Sequence, residues 1–170
     1  YIETLLIDSH QNLWAGSWDK GLFFLKKGSK TFINYNIDNT NGNLNTNTIL
    51  SLAEDSKGTI WLGTFNRGLI SFHPKRETFT HHNYGSFLEN DLTNLEVRKL
   101  LIDSKDNIWV AATVGFFKVT QEGAAGFSVE SMRDKMPEAF NKHNSSNNFL
   151  SLYESADHTI WIGTRGAGLC

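Results

Sequence analysis

Polar turns interrupt the chain about every eight to twelve residues, and the segments between them are short apolar runs with strand character. The stretch 48–84 shows the unit most clearly. Residues 48–54 form an aliphatic run, and Asp55-Ser56-Lys57-Gly58 follows, with an Asp that can bond its own backbone and a Gly that permits positive φ. The chain must reverse there. A second strand is predicted over 59–64, a third over 68–72 after the loop Phe65-Asn66-Arg67, and a fourth over 78–84 after the turn containing Pro74. Each is close to the ordinary strand length of about five or six residues. No segment holds apolar residues at i, i+3, i+4 and i+7 for any distance, which argues against a helical repeat.

The same unit recurs. An aliphatic residue followed by tryptophan occurs at Leu13-Trp14, Ile60-Trp61, Ile108-Trp109 and Ile160-Trp161, the tryptophans being 47, 48 and 52 residues apart. Six positions before them stand Asp8, Asp55, Asp103 and Ser155, so the fourth copy departs from the pattern, with Asp157 as a substitute. Leu5, Leu52, Leu100 and Leu152 lie three residues further upstream. Two residues after each tryptophan come Gly16, Gly63, Ala111 and Gly163; seven after it come Gly21, Gly68 and Gly168, with Gly115 one position early. Phe32, Phe79 and Phe127 follow at eighteen.

Four antiparallel strands per copy at this period predict an all-β fold of propeller blades. The expected blades cover about 1–36, 45–84, 93–130 and an incomplete 146–170, together one partial propeller. Because closed propellers typically have about four to eight blades, the chain is expected to be a fragment of a larger propeller, or else to associate with other copies through exposed blade faces. The repeated Trp14, Trp61, Trp109 and Trp161 are expected to be core residues wedged between blades. Truncating a buried Trp costs about 3–5 kcal/mol. The small residue two positions on lets the neighbouring sheet approach, and the repeated Asp residues read as turn formers.

Composition narrows the function without naming it. With 39% hydrophobic residues the 170-residue chain has material for a sizeable core, and its formal charge of −2 with scattered Lys and Arg lacks the basic stripe of a nucleic-acid binder. No nucleic-acid partner is expected. Cys170 is the single cysteine, which excludes an internal disulfide. No membrane contact is expected of this segment, since no apolar run approaches the length of a span.

The pattern Leu-x-x-Asp-x-x-Gly-x-Ile-Trp-x-Gly-Thr-x-x-x-Gly-Leu, read from Leu52 to Leu69, resembles the two-component regulator propeller repeat. The first copy departs at Gln11 and Ser17, the third at Asp106, Ala111 and Ala112, and the fourth at Ser155 and His158. Only 37–44 and 131–146 fall outside the likeness. The resemblance implies a seven-bladed propeller in the periplasmic sensor region of a hybrid two-component histidine kinase, with a saccharide as ligand and no catalysis in this segment. Two other functions stay open: a scaffold whose propeller faces mediate interaction or dimerisation, and an enzyme similar to the streptogramin lyases.

Ligands are expected on the face where the loops between second and third strands converge. These loops span 17–20, 65–67, 113–114 and 165–167. Trp18, outside the repeated set, is the candidate stacking platform for a sugar ring, with Asp19, Asn66, Arg67 and Arg165 as polar partners. The competing reading is a set of solvated loop residues. His81 and His82 are adjacent on a strand and point to opposite faces, and His10, His73, His143 and His158 stand singly, so no metal site is expected. No cofactor is expected either, for want of a phosphate loop, nucleophile elbow or His-Glu zinc helix. The segment 131–146, with Met132 and Met136, is expected to form a longer blade connection or a short helical turn. The Asn-rich stretches 36–47 and 141–148 suit turns and Asx caps.

Overall fold

A computed structural model describes residues 1–82, 95–113, 115–122, 126–136, 149–165 and 168–169. The expected limits at 84 and 93, Val114, Ala167, His143, the 141–148 stretch, the end of the 131–146 connection and Cys170 lie outside the described residues. The chain divides into two compact units, Tyr1–Val97 and Arg98–Cys170.

The first unit holds two antiparallel meanders. β1 (Ile2–Ile7), β2 (Leu13–Ser17), β3 (Leu22–Leu25) and β4 (Ile33–Tyr35) pair in chain order; β5 (Ile49–Glu54), β6 (Ile60–Thr64), β7 (Leu69–His73) and β8 (Thr78–His82) repeat the arrangement. Both first pairs carry a register shift at the same place, Ile2/Thr4 and Ile49/Ser51. In the second unit β9 (Val97–Ile102, whose first residue belongs to the first unit), β10 (Ile108–Ala112), β11 (Gly115–Glu122) and β12 (Gly126–Ser131) form a third meander. β13 (Phe149–Glu154) and β14 (Ile160–Thr164) form a two-stranded sheet, shifted again at Phe149/Ser151. Gly163 makes an isolated bridge to Leu169.

One reversal joins first and second strands in every copy. The residue three after the Asp has positive φ: Gln11 at 63°, Gly58 at 76°, Asp106 at 64° and His158 at 65°. Its amide donates to the carbonyl of Asp8, Asp55, Asp103 or Ser155, each at 2.9 Å. Only Gly58 takes that backbone without a side-chain penalty.

Packing within the first unit explains the repeated small residue. A Cβ on Gly16 would lie 2.7 Å from Ile49 Cγ2 and 3.0 Å from the Ile49 carbonyl, and one on Gly63 would lie 2.8 Å from both Val97 Cγ1 and its carbonyl. The start of the following first strand therefore seats directly on the glycine. Around this contact Trp14, Leu22, Leu44, Ile49, Leu52, Ile60, Leu62, Ile70 and Phe72 make one buried cluster, with Leu6, Phe24, Tyr35 and Phe79 packed against it. The second unit has a smaller one, of Trp109, Ala111, Phe116, Phe149 and Ile162. A 3₁₀ turn at Arg133–Lys135 lays Met132 and Met136 on it. The helical turn considered for 131–146 is thus present at its start.

Trp14, Trp61 and Trp109 are core, at 1%, 3% and 9% exposure, but Trp161 is 41% exposed. The expectation that all four are buried is corrected for the fourth copy: among the described residues its sheet has two strands, and nothing covers the indole's outer face. In the Asn-rich stretch, Asn36 Oδ1 accepts from the amides of Asp38 and Asn39, both at 2.9 Å, and Asn47 Oδ1 from that of Ile37 at 3.0 Å. The Asn36 bonds are the Asx turns the composition suggests, whereas Asn47 ties the stretch together across ten residues.

Candidate functional site

The loops between second and third strands are built by a hydroxyl. Ser17 Oγ donates to the Gly21 carbonyl at 3.0 Å and accepts the Lys20 amide at 2.8 Å; Thr64 Oγ1 does the same with Gly68 and Arg67 at 2.8 and 3.0 Å. Thr164 Oγ1 also donates to its glycine, Gly168, at 3.0 Å. The third copy has Ala112 instead, and there the strands close sooner, with Ala112 opposite Gly115. This accounts for the glycine that stands one position early in sequence.

In the first unit two of these loops meet. Trp18 donates its amide to the Tyr1 carbonyl, and its own carbonyl accepts from Thr48 Oγ1, which ties the loop to the beginning of the next sheet. Its indole lies against the Phe65 ring, centroids 5.2 Å apart and planes inclined by 56°. The two rings stay 43% and 41% exposed. Beside them Asn66 Oδ1 accepts from Thr46 Oγ1 and Arg67 Nε donates to the Asn45 carbonyl, both at a long 3.4 Å. Among the described residues Asn45 Oδ1 is buried with no hydrogen-bond partner. An exposed aromatic pair flanked by amides and a guanidinium can stack on a flat apolar surface and bond the hydroxyls or acids around it.

The structure thus sets Trp18 against Phe65, the residue that precedes Asn66 and Arg67 in the neighbouring loop. Among the described residues Asp19 faces its neighbour Lys20, at 3.7 Å on the surface. Arg165 is exposed in the second unit. Phe65 is the residue that sequence reasoning missed, although a signal existed: it stands four after Trp61 as Trp18 stands four after Trp14.

The repeated Asp residues do more than form turns. Trp14 Nε1 donates to Asp8 Oδ2 at 2.9 Å, Trp61 Nε1 to Asp55 Oδ2 at 2.9 Å and Trp109 Nε1 to Asp103 Oδ2 at 2.8 Å. In the fourth copy Trp161 Nε1 donates to Ser155 Oγ at 3.1 Å, and Ser155 in turn donates to Asp157. Asp157 therefore supports the acceptor and does not replace it. Burial pushes the Asp8 carboxyl up, but donors from Trp14, Asn12 and His10 outweigh it and hold the group below the ordinary carboxylate range.

Asp8, His10 and Glu54 place ligand-type atoms within 4.8 Å of one another. These atoms already have partners. Asp8 accepts four donors, Ser9 donates its amide and hydroxyl to the Glu54 carboxylate at 2.6 and 2.8 Å, and His10 Nδ1 meets Ser9 Oγ at 3.1 Å. The group is a clip between two sheets. The second unit repeats it: Ser104 donates its amide and hydroxyl to Glu154, both at 2.7 Å. An open cavity of about 310 Å³ also lies in that unit, over Trp109 and Phe116 and lined by Met132, Met136, Ile160 and Ile162. At the corresponding place in the first unit, Phe72 covers Trp14 at 5.7 Å between centroids.

The description "two component regulator propeller" fits residues 43–66 and 144–166 of this chain. No curated protein matches it. Among solved structures it is similar to the extracellular domain assigned to the hybrid two-component system BT3049 of B. thetaiotaomicron, at 17% identity and TM-score 0.71, over 99% of this chain and 20% of that one. It is also similar to PorZ, a surface component of the type-IX secretion system of Porphyromonas gingivalis, at 18% and 0.67, over 99% and 25%. Virginiamycin B lyase of Staphylococcus aureus matches at 12% and 0.63, over 95% and 48%. At these identities the likeness shows the fold, a segment of β-propeller, and the chain spans half or less of each of these structures.

Proposed function

We propose that this chain, a propeller segment carrying two-component regulator propeller repeats at 43–66 and 144–166, is part of the extracytoplasmic input domain of a two-component sensor, that it binds and does not catalyse, and that its ligand is a saccharide. The repeats and the likeness to an extracellular two-component domain support the sensor reading. Periplasmic placement follows from the same reading. The observation that carries ligand binding is the half-exposed Trp18–Phe65 pair with Asn66 and Arg67 beside it. Aromatic faces match the apolar faces of pyranose rings, and the Arg67 guanidinium suits a carboxylate or sulfate on an acidic sugar.

Calorimetry of the complete parent propeller against a panel of neutral and acidic oligosaccharides tests this reading. Binding by a panel member is expected, and Trp18→Ala is expected to weaken it by about tenfold or more, the scale of losing one stacked aromatic. Unchanged affinity in that variant removes the site; silence across the panel favours a scaffold whose faces mediate dimerisation. Turnover of a panel member would move the assignment to an enzyme.

A further inference from the structure

The two loops that carry the aromatic pair are fastened to one segment, 45–48, which leads into β5. Thr48 Oγ1 donates to the Trp18 carbonyl, and the Thr48 carbonyl accepts the Phe65 amide at 3.3 Å. The Asn47 carbonyl accepts the Gly21 amide at 2.9 Å, which holds the end of the first loop. Thr46 Oγ1 donates to Asn66 Oδ1, and the Asn45 carbonyl accepts from Arg67 Nε. Four successive residues thus buckle the two loops together, and the ring pair and the guanidinium rest on one support.

These bonds occupy acceptors and leave side-chain donors. Among the described residues nothing accepts from Trp18 Nε1, from Asn66 Nδ2 or from the terminal N–H groups of Arg67, and the guanidinium has no ion pair. All three side chains are exposed. Asn45 Oδ1, without a partner among the described residues, is buried away from a ligand, and Asp19 lies against Lys20. The loops therefore offer donors and a full positive charge. Neutral sugar hydroxyls both donate and accept, whereas the oxygens of an anion only accept. Arginine's planar fork meets a carboxylate or sulfate with two parallel bonds.

Resting on the saccharide reading above, we infer that the recognised unit is an acidic sugar. Its apolar ring face lies on the Trp18 and Phe65 rings, and its carboxylate or sulfate takes the Arg67 guanidinium, with Asn66 Nδ2 on a neighbouring oxygen. Arg67 sets acidic against neutral sugars, while the rings serve both.

Calorimetry of the complete parent propeller with matched probes tests this. One pair is an oligogalacturonate and its carboxyl-reduced form; the other is a sulfated N-acetyllactosamine oligomer and its desulfated form. In at least one pair the acidic member is expected to bind about tenfold or more tightly than its neutral counterpart, the scale of a hydrogen bond to a charged group. The pair that shows the preference tells carboxylate from sulfate. The preference should shrink as ionic strength rises. Arg67→Gln is expected to bring the affinity ratio close to one, and Arg67→Lys, which keeps the charge and loses the fork, to leave an intermediate ratio. Arg67 is exposed and its hydrogen bond to Asn45 is long, so both variants should melt with the parent; the salt series on the parent needs neither. Equal binding within both pairs, a preference indifferent to salt, or one that survives Arg67→Gln overturns the inference and leaves the saccharide reading standing. Silence from every probe and from the wider panel overturns both.

Discussion

Asp8 shows how one side chain serves two levels of structure. Its Oδ1 accepts two amides of its own turn, and its Oδ2 accepts Asn12 Nδ2 and the Trp14 indole. Removing it leaves a buried indole N–H and an unheld turn. We expect Asp8→Ala to cost about 1.5–3 kcal/mol, the range for hydrogen bonds to a charged group, measured by urea unfolding. His82 is a second case. Burial, with a smaller contribution from His81, lowers it from 6.5 to about 4, and its ring stacks near Trp61 while Nε2 meets Ser71 Oγ at 2.8 Å. The folded state therefore resists protonation more than the unfolded chain does. Stability should be intact above about pH 6.5 and fall as the pH drops toward about 4, by at most about 3 kcal/mol for a shift of this size. His82→Gln should flatten that part of the stability profile in urea titrations across the range.

Among the elements, the contact between neighbouring sheets rests on shape more than on charge. Gly16→Val places a side chain where Ile49 and its carbonyl already lie. Overpacking of this kind costs about 1–3 kcal/mol, more where backbone is struck. By contrast, the Ser9–Glu54 clip is exposed, and Glu54→Gln should change the unfolding midpoint little, by less than about 1 kcal/mol. A urea series on the two variants orders these contributions, and a reversed order would show the clip to be the main fastening. The clip is also not universal, for Ile102 stands at the glutamate position of the third copy.

For the molecule as a whole, the fold was legible because the repeat is written in backbone terms. Turn residues every few positions, apolar runs of strand length and a tryptophan at fixed register leave four-stranded meanders as the consistent solution. The candidate site was legible only in part. Trp18 stands out as a tryptophan off the register, but Phe65 gains meaning only when two loops from consecutive sheets bring their rings to 5.2 Å. Asp19 and Arg165 stand out in the sequence for charge and loop position; the structure pairs the first with Lys20 and puts the second in the other unit. The partner of the repeated Asp was likewise hidden, since a six-residue spacing around a reversal does not announce that carboxylate and indole will touch. The sequence alone determined strand positions, turn chemistry and the identity of the packing wedge, because these depend on neighbours along the chain. Tertiary structure decided which wedge is covered and which rings pair, because these depend on surfaces that residues far apart in sequence bring together.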